Sequence, residues 1–234
     1  FSKSVNNEIW VPVLEKAYAK AYSSYFDITG GDPVHALRDL TGAPYDRIED
    51  YSKLPEAWAK LKEANAQNFI LTCFTKSAET VEQQSGDGLV SGHAYSILDV
   101  REVVDSRGKV RMILQIRNPW GKFEWKGDFS DDSPLWTPEA KRQLQVVSSD
   151  DGVFWMPFEK FVESYEGIGI VKVKPGYVNN SIVVKRVNPI DKSIVRLTIS
   201  EAKNNVTVSI DQMDSKWIDN KNYSLSYFRV TIGK

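Results

Sequence analysis

Two apolar runs, Ala94 to Val104 and Val110 to Ile116, are joined by Asp105-Ser106-Arg107-Gly108-Lys109, and no other stretch restricts the fold as tightly. Short apolar runs separated by a Gly-containing polar turn predict an antiparallel β-hairpin. The residues at its mouth follow from that pairing. His93 comes after the loop-like Ser85-Gly86-Asp87-Gly88 and opens the first strand. Asn118 ends the second, and Pro119 biases it toward extended backbone. A hairpin of this register places His93 and Asn118 side by side at its open end, on the rim of the sheet where functional groups concentrate.

An imidazole beside a side-chain amide is two-thirds of a Cys-His-Asn site. There the imidazole takes the thiol proton while the amide oxygen accepts from the other ring nitrogen and fixes tautomer and ring plane. The third member is not evident. The one cysteine, Cys73, lies in Asn68-Phe69-Ile70-Leu71-Thr72-Cys73-Phe74, an apolar run with a strand signature. A reactive thiolate wants a helix N-terminus or an electropositive neighbourhood, so Cys73 is assigned to the core. His35, the other histidine, sits in a helical segment with apolar neighbours and is read as structural or surface; two histidines and one cysteine far apart in sequence, without metal-ligand spacing, give no expectation of a structural zinc site.

Four linked segments carry a wider pattern: Ser91-Gly92-His93-Ala94-Tyr95-Ser96, then Gln115-Ile116-Arg117-Asn118-Pro119-Trp120-Gly121, Glu124-Trp125-Lys126-Gly127 and Asp151-Gly152-Val153-Phe154-Trp155-Met156. In this order they resemble the calpain family of cysteine proteases. The opening Glu8-Ile9-Trp10, Leu14 to Lys20 and Gly30-Gly31-Asp32 are similar to the start of that family's second protease subdomain. The resemblance implies an α+β fold: a papain-like cysteine protease lobe over residues 1–175, an antiparallel sheet with flanking helices, followed by part of a calpain-type β-sandwich over 176–234. It implies that His93 is the base, that Asn118 orients it, that Trp120 packs over their hydrogen bond, and that Gly92 exposes backbone to substrate. The family's nucleophile lies upstream in a Gly-Asp-Cys-Trp-like motif that this sequence lacks. Protein substrates and an upstream lobe carrying the catalytic Cys are therefore the expected partners. Because Phe1 is no initiator Met, the chain reads as a piece of a longer polypeptide.

The resemblance also implies calcium. Positions matching Glu124, Asp131 and Asp151 help bind calcium in animal calpains, with a backbone carbonyl near Ser149, whereas the family's further carboxylate falls on Val153 here. Hard oxygen donors from two loops suit that ion, and the loss of one charged ligand weakens the site. The alternative is a solvated acidic loop face.

Elsewhere the helical period of Ile9, Trp10, Val13, Leu14, Ala17, Tyr18 and Ala21 predicts a helix with one buried face. Further helices are expected at 33–41, 55–66, 138–146 and 157–165, and strands at 68–74 and 168–173. Past Pro175-Gly176, alternating segments at 182–187, 195–200, 206–211 and 224–232 read as sandwich strands, too few for a complete sandwich. A net charge of −1 gives no electrostatic footprint for nucleic acid. No apolar run approaches the roughly 20 residues that span a bilayer, and a lone cysteine fits a reducing, cytoplasmic setting. The readings that compete are an intracellular endopeptidase, a calpain-like pseudoprotease acting as a binding or regulatory scaffold, and a phospholipid-contacting module. Membrane contact would run only through the C-terminal strands, where Lys185-Arg186 and Lys221 are basic.

Overall fold

The computed structural model describes residues 2, 8–76, 84–177 and 206–209. The chain forms two compact units, residues 1–32 with 196–234, and residues 33–195.

In the first unit, helix α1 runs Trp10–Ala21, and Pro12 falls in its first turn, where a missing N–H costs nothing. Glu15 accepts from the backbone N–H and hydroxyl of Ser2. The helix forms, but the buried face expected from its period does not: only Ala19 is buried, while Trp10, Val13 and Leu14 are exposed. Periodicity determines which side chains share a face, whereas burial of that face is a tertiary property. Residues 206–209, inside one of the expected sandwich strands, lie in neither helix nor strand. The other strands expected beyond residue 177 fall outside the described residues.

The second unit is a sheet with helices on both faces. Its elements are α2 (Pro33–Thr41), β1 (Tyr45–Ile48), α3 (Leu54–Ala66), β2 (Ile70–Thr75), β3 (Ala94–Val104), β4 (Val110–Arg117), α4 (Pro138–Gln143), β5 (Val153–Pro157), α5 (Phe158–Ser164) and β6 (Tyr165–Val171). The six strands are ordered β1-β6-β2-β3-β4-β5, and every neighbouring pair is antiparallel.

Side-chain alternation divides the sheet cleanly. Leu114, Ile116, Phe154, Met156, Ile168 and Ile170 point to one face and join Trp58, Leu61, Phe158 and Phe161 in the main core. Ile113 and Trp155, their sequence neighbours, point to the other face and pack with Phe129, Leu135, Trp136 and Ala140. Each such large side chain, fully buried, favours the folded state by about 1.5–3 kcal/mol. On β6, Val171 turns away from the main core to meet Val34 and Ala43. Helix α2 sits this close because of Gly169, where a Cβ would stand 2.0 Å from Val34 Cγ2.

The β3–β4 hairpin is closed by Asp105. Its carboxylate accepts from the Arg107 and Lys109 N–H groups at 2.9 Å, and Gly108 supplies φ +80°. These backbone donors, Lys109 foremost, hold the Asp105 carboxyl below the usual range. A bulge between Ile97 and Asp99 leaves Leu98 exposed, so Val100 returns to the core. Past the bulge, Ser96 faces Arg117, which brings the residues just beyond them to one sheet end.

Candidate active site

At that sheet end His93 Nε2 and Asn118 Oδ1 are 3.0 Å apart. Asn118 is 0% exposed and His93 6%, so the pair is shielded from competing water. With Nε2 engaged by an amide oxygen, that nitrogen carries the proton and base chemistry falls to Nδ1.

The amide is itself over-determined. Its oxygen also accepts from the Trp120 N–H at 3.0 Å, and its Nδ2 donates to the Phe123 carbonyl at 3.3 Å. The Asn118 N–H donates to the Gly152 carbonyl at 2.7 Å, and the Asn118 carbonyl accepts from the Gly121 N–H at 3.0 Å. These bonds leave the Oδ1/Nδ2 assignment no freedom, since an inverted amide would oppose Trp120 N–H with an NH2 group. The Trp120 ring lies 4.3 Å from the His93 ring at 44°, and Tyr95 meets the imidazole edge-on at 5.0 Å. Trp120 is 45% exposed, so it covers the pair on one side and meets solvent on the other. Gly92 has φ +61°, which a side chain would resist, and bends the chain into β3.

Cys73 lies on β2, opposite Tyr95, and is 0% exposed. Burial pushes its thiol well above the ordinary range, the reverse of an activated nucleophile. His35 is half-buried on α2, edge-on to Tyr45 at 5.8 Å, with the Arg47 guanidinium 3.4 Å from its Nε2.

Glu124, Asp131 and Asp132, with Phe123, Ser149 and Asp150, line a cleft of about 670 Å³. Glu124 Oε1 accepts from the Asp151 and Gly152 N–H groups at 2.9 and 2.7 Å. Asp131 accepts from the Ser149 N–H at 3.2 Å, and Asp151 from the Ser149 hydroxyl at 2.7 Å. Burial raises the Glu124 carboxyl above its usual range, and the negative charges of Asp131 and Asp151 raise it further. Asp131 is raised in the same way, by burial and then by Asp132 and Asp151. Groups shifted upward contribute most to stability in acid and lose that contribution as pH rises through their folded values. The donor chemistry and mutual repulsion suit a hard cation. Among the described residues, however, no three His, Cys, Asp or Glu side chains are grouped closely enough to hold one ion.

Two partners of the site are invisible to motif reading. The Phe123 carbonyl is aimed at Asn118 by a left-handed φ of +65°, and the Gly152 carbonyl by φ +82°. The Asp-Gly dipeptide at 151–152 signals a turn, but not what the turn touches.

The family model for calpain family cysteine proteases matches residues 1–172. The chain belongs to that family. It is 35% identical to human Calpain-9 over 185 residues, covering 77% of this chain and 27% of that protein. It is 39% identical to the calpain-type cysteine protease DEK1 of Zea mays over 187 residues, 75% of this chain and 8% of that protein. With human Calpain-14 the figure is 35% over 187 residues, 79% and 27%. The chain thus spans about a quarter of these human calpains. A calpain-family cysteine protease domain accounts for its sheet and flanking helices. Among the described residues, no helix is long and apolar enough to cross a membrane.

Proposed function

We propose that this chain carries the base and orienting amide of a calpain-type cysteine endopeptidase making limited cuts in exposed segments of protein substrates in the cytoplasm. The observation that carries the reading is the 3.0 Å bond between His93 Nε2 and Asn118 Oδ1 under Trp120. A thiol placed beside Nδ1 would lose its proton to His93 as sulfur attacks the scissile carbonyl. Collapse of the tetrahedral adduct returns that proton to the leaving amine, and water, deprotonated by the same nitrogen, then hydrolyses the thioester. Asn118 keeps Nε2 protonated throughout, so Nδ1 is the nitrogen that cycles. Gly92 leaves backbone accessible beside the base, and Trp120 shields the imidazole–amide bond.

Cys73 does not fit the nucleophile's part, so a cysteine on an upstream lobe of the same polypeptide is assigned to it. The test is labelling of the intact polypeptide with a thiol-directed peptidyl electrophile, read by mass spectrometry. Modification is expected at an upstream cysteine and to vanish in His93→Ala, while Cys73 stays unmodified until the protein is denatured. No labelling at all would favour a pseudoprotease scaffold, and native labelling of Cys73 would overturn its place in the core.

We also propose that the two loops carrying Glu124, Asp131 and Asp151 take calcium, on the strength of the mutual repulsion of these carboxylates. Glu124 and Asp131 supply side-chain oxygens there, and the ion would relieve their repulsion. Calcium at 100 times its dissociation constant stabilises the fold by about 2.7 kcal/mol, a shift of roughly 5–10 °C in Tm for a chain of this size. Asp131→Asn is expected to abolish most of that shift. An equal Tm with calcium and with chelator would leave the acids as a solvated loop face.

A further inference from the structure

We propose that Thr75 is a positioning residue for His93, a role that rests on the reading of His93 as the base. The β2–β3 ladder pairs Phe74 with Ala94, and His93 lies one residue past that pair. Its C=O still accepts from the Thr75 N–H at 3.0 Å. The reciprocal bond is different. The His93 N–H donates at 3.0 Å to the Thr75 hydroxyl, in place of a carbonyl across the ladder. That hydroxyl in turn donates to the Val90 carbonyl at 2.6 Å, with the His93 carbonyl at 3.2 Å. One side-chain oxygen therefore ties both ends of the turn Val90-Ser91-Gly92-His93.

The turn needs such a tie. Gly92 is its softest point, at φ +61°, and its N–H donates to the Lys76 carbonyl at a long 3.3 Å. On the opposite edge of β2 the register with β6 slips, Phe74 facing Gly167 and Thr75 facing Tyr165. Bulges beside functional sites re-aim side chains, and this one ends the regular ladder at the residue whose hydroxyl is used. Thr75 is 4% exposed, so water does not replace the hydroxyl when it is lost.

The consequence reaches the ring. Asn118 is fixed from β4 and the Gly152 turn, whereas the His93 main chain is fixed from β2. The 3.0 Å imidazole–amide bond forms only if both frames agree, and Thr75 is the side chain that references β3's first turn to β2. A valine has the same shape without the hydroxyl, so Thr75→Val leaves the His93 N–H and Val90 C=O buried without that partner.

The chain has two histidines, so imidazole nitrogen resonances of the 234-residue protein are assigned by substituting His35. Long-range proton–nitrogen correlation then reads the His93 tautomer directly. Wild type is expected to show Nε2–H alone. Thr75→Val is expected to introduce the Nδ1–H form and to speed exchange of the His93 amide about tenfold or more, and Thr75→Ser to restore both. A folded Thr75→Val protein with wild-type tautomer and exchange would overturn the proposal. If that variant does not fold, the wild-type hydroxyl decides. A slowly exchanging Thr75 hydroxyl proton with cross-relaxation to the His93 amide supports the tie, and a fast-exchanging one without it refutes it. The readout is a tautomer and not turnover, so its failure is distinct from failure of the protease reading.

Discussion

His93→Ala in the intact polypeptide is expected to lower kcat on a fluorogenic peptide by about 10⁴-fold, with KM nearly unchanged. In the proposed mechanism the imidazole moves protons in both half-reactions, and His35, the other histidine, belongs to α2 and pairs with Tyr45 and Arg47. The loss should be chemical and not a collapse of the fold. Asn118 keeps four other side-chain and backbone partners when the ring is removed, namely the Trp120 N–H, the Phe123 carbonyl, the Gly152 carbonyl and the Gly121 N–H. What disappears is one ring packed against Trp120 and Tyr95, at a cost of about 1–2 kcal/mol. A variant that keeps its melting temperature within a few degrees yet hydrolyses peptide at more than a tenth of the wild-type rate would remove His93 from the mechanism.

Gly152→Ala attacks the same pair from behind and is expected to damage stability and activity together. A Cβ at this position would lie 2.8 Å from the Asn118 carbonyl oxygen, 2.9 Å from Gly121 Cα and 2.9 Å from the Lys122 nitrogen, all main-chain atoms that cannot swing aside. The φ of +82° adds strain that an L side chain resists. Together these should cost about 2–4 kcal/mol, lowering Tm by roughly 10 °C. Because the Gly152 carbonyl receives the Asn118 N–H and its own N–H is held by Glu124, relief of the clash must move Asn118. Gly121→Ala is the control. It also has a left-handed φ, +68°, but its Cβ would be 3.8 Å from the nearest backbone atom, so it should lose stability through strain alone. Equal Tm values for the two variants would mean that the close approach at Gly152 contributes nothing.

The hairpin was legible because its signal is local: alternating apolar residues on either side of an Asp-Ser-Arg-Gly turn. That signal by itself brings His93 and Asn118 to one end of the sheet. Strand β1 was not foreseen. Tyr45-Asp46-Arg47-Ile48 is four residues long with two charges, and only its pairing with Ile168 to Val171 makes it a strand. The apolar period of α1 predicts a helix, which forms, and a covered face, which does not. Val153, noted only as a missing carboxylate, opens β5 opposite Arg117, and its N–H is taken by the Asp151 side chain. Thr75, Phe123 and Gly152 escaped for one reason. Each acts through a main-chain or hydroxyl contact, Phe123 five residues from Asn118 and the other two across much longer separations, and no spacing rule encodes that.

The sheet order has a kinetic corollary. Strands β3 and β4 meet across a five-residue turn, so their loop closes in the earliest microseconds, whereas β1 finds β6 only after more than a hundred intervening residues have been gathered. The hairpin that juxtaposes His93 and Asn118 can therefore form while the chain is still being made, ahead of the Asp151-Gly152 turn that locks the amide. An emerging polypeptide would carry the outline of the site before it carries the constraint that makes the site work, and competence would arrive only when β5 docks.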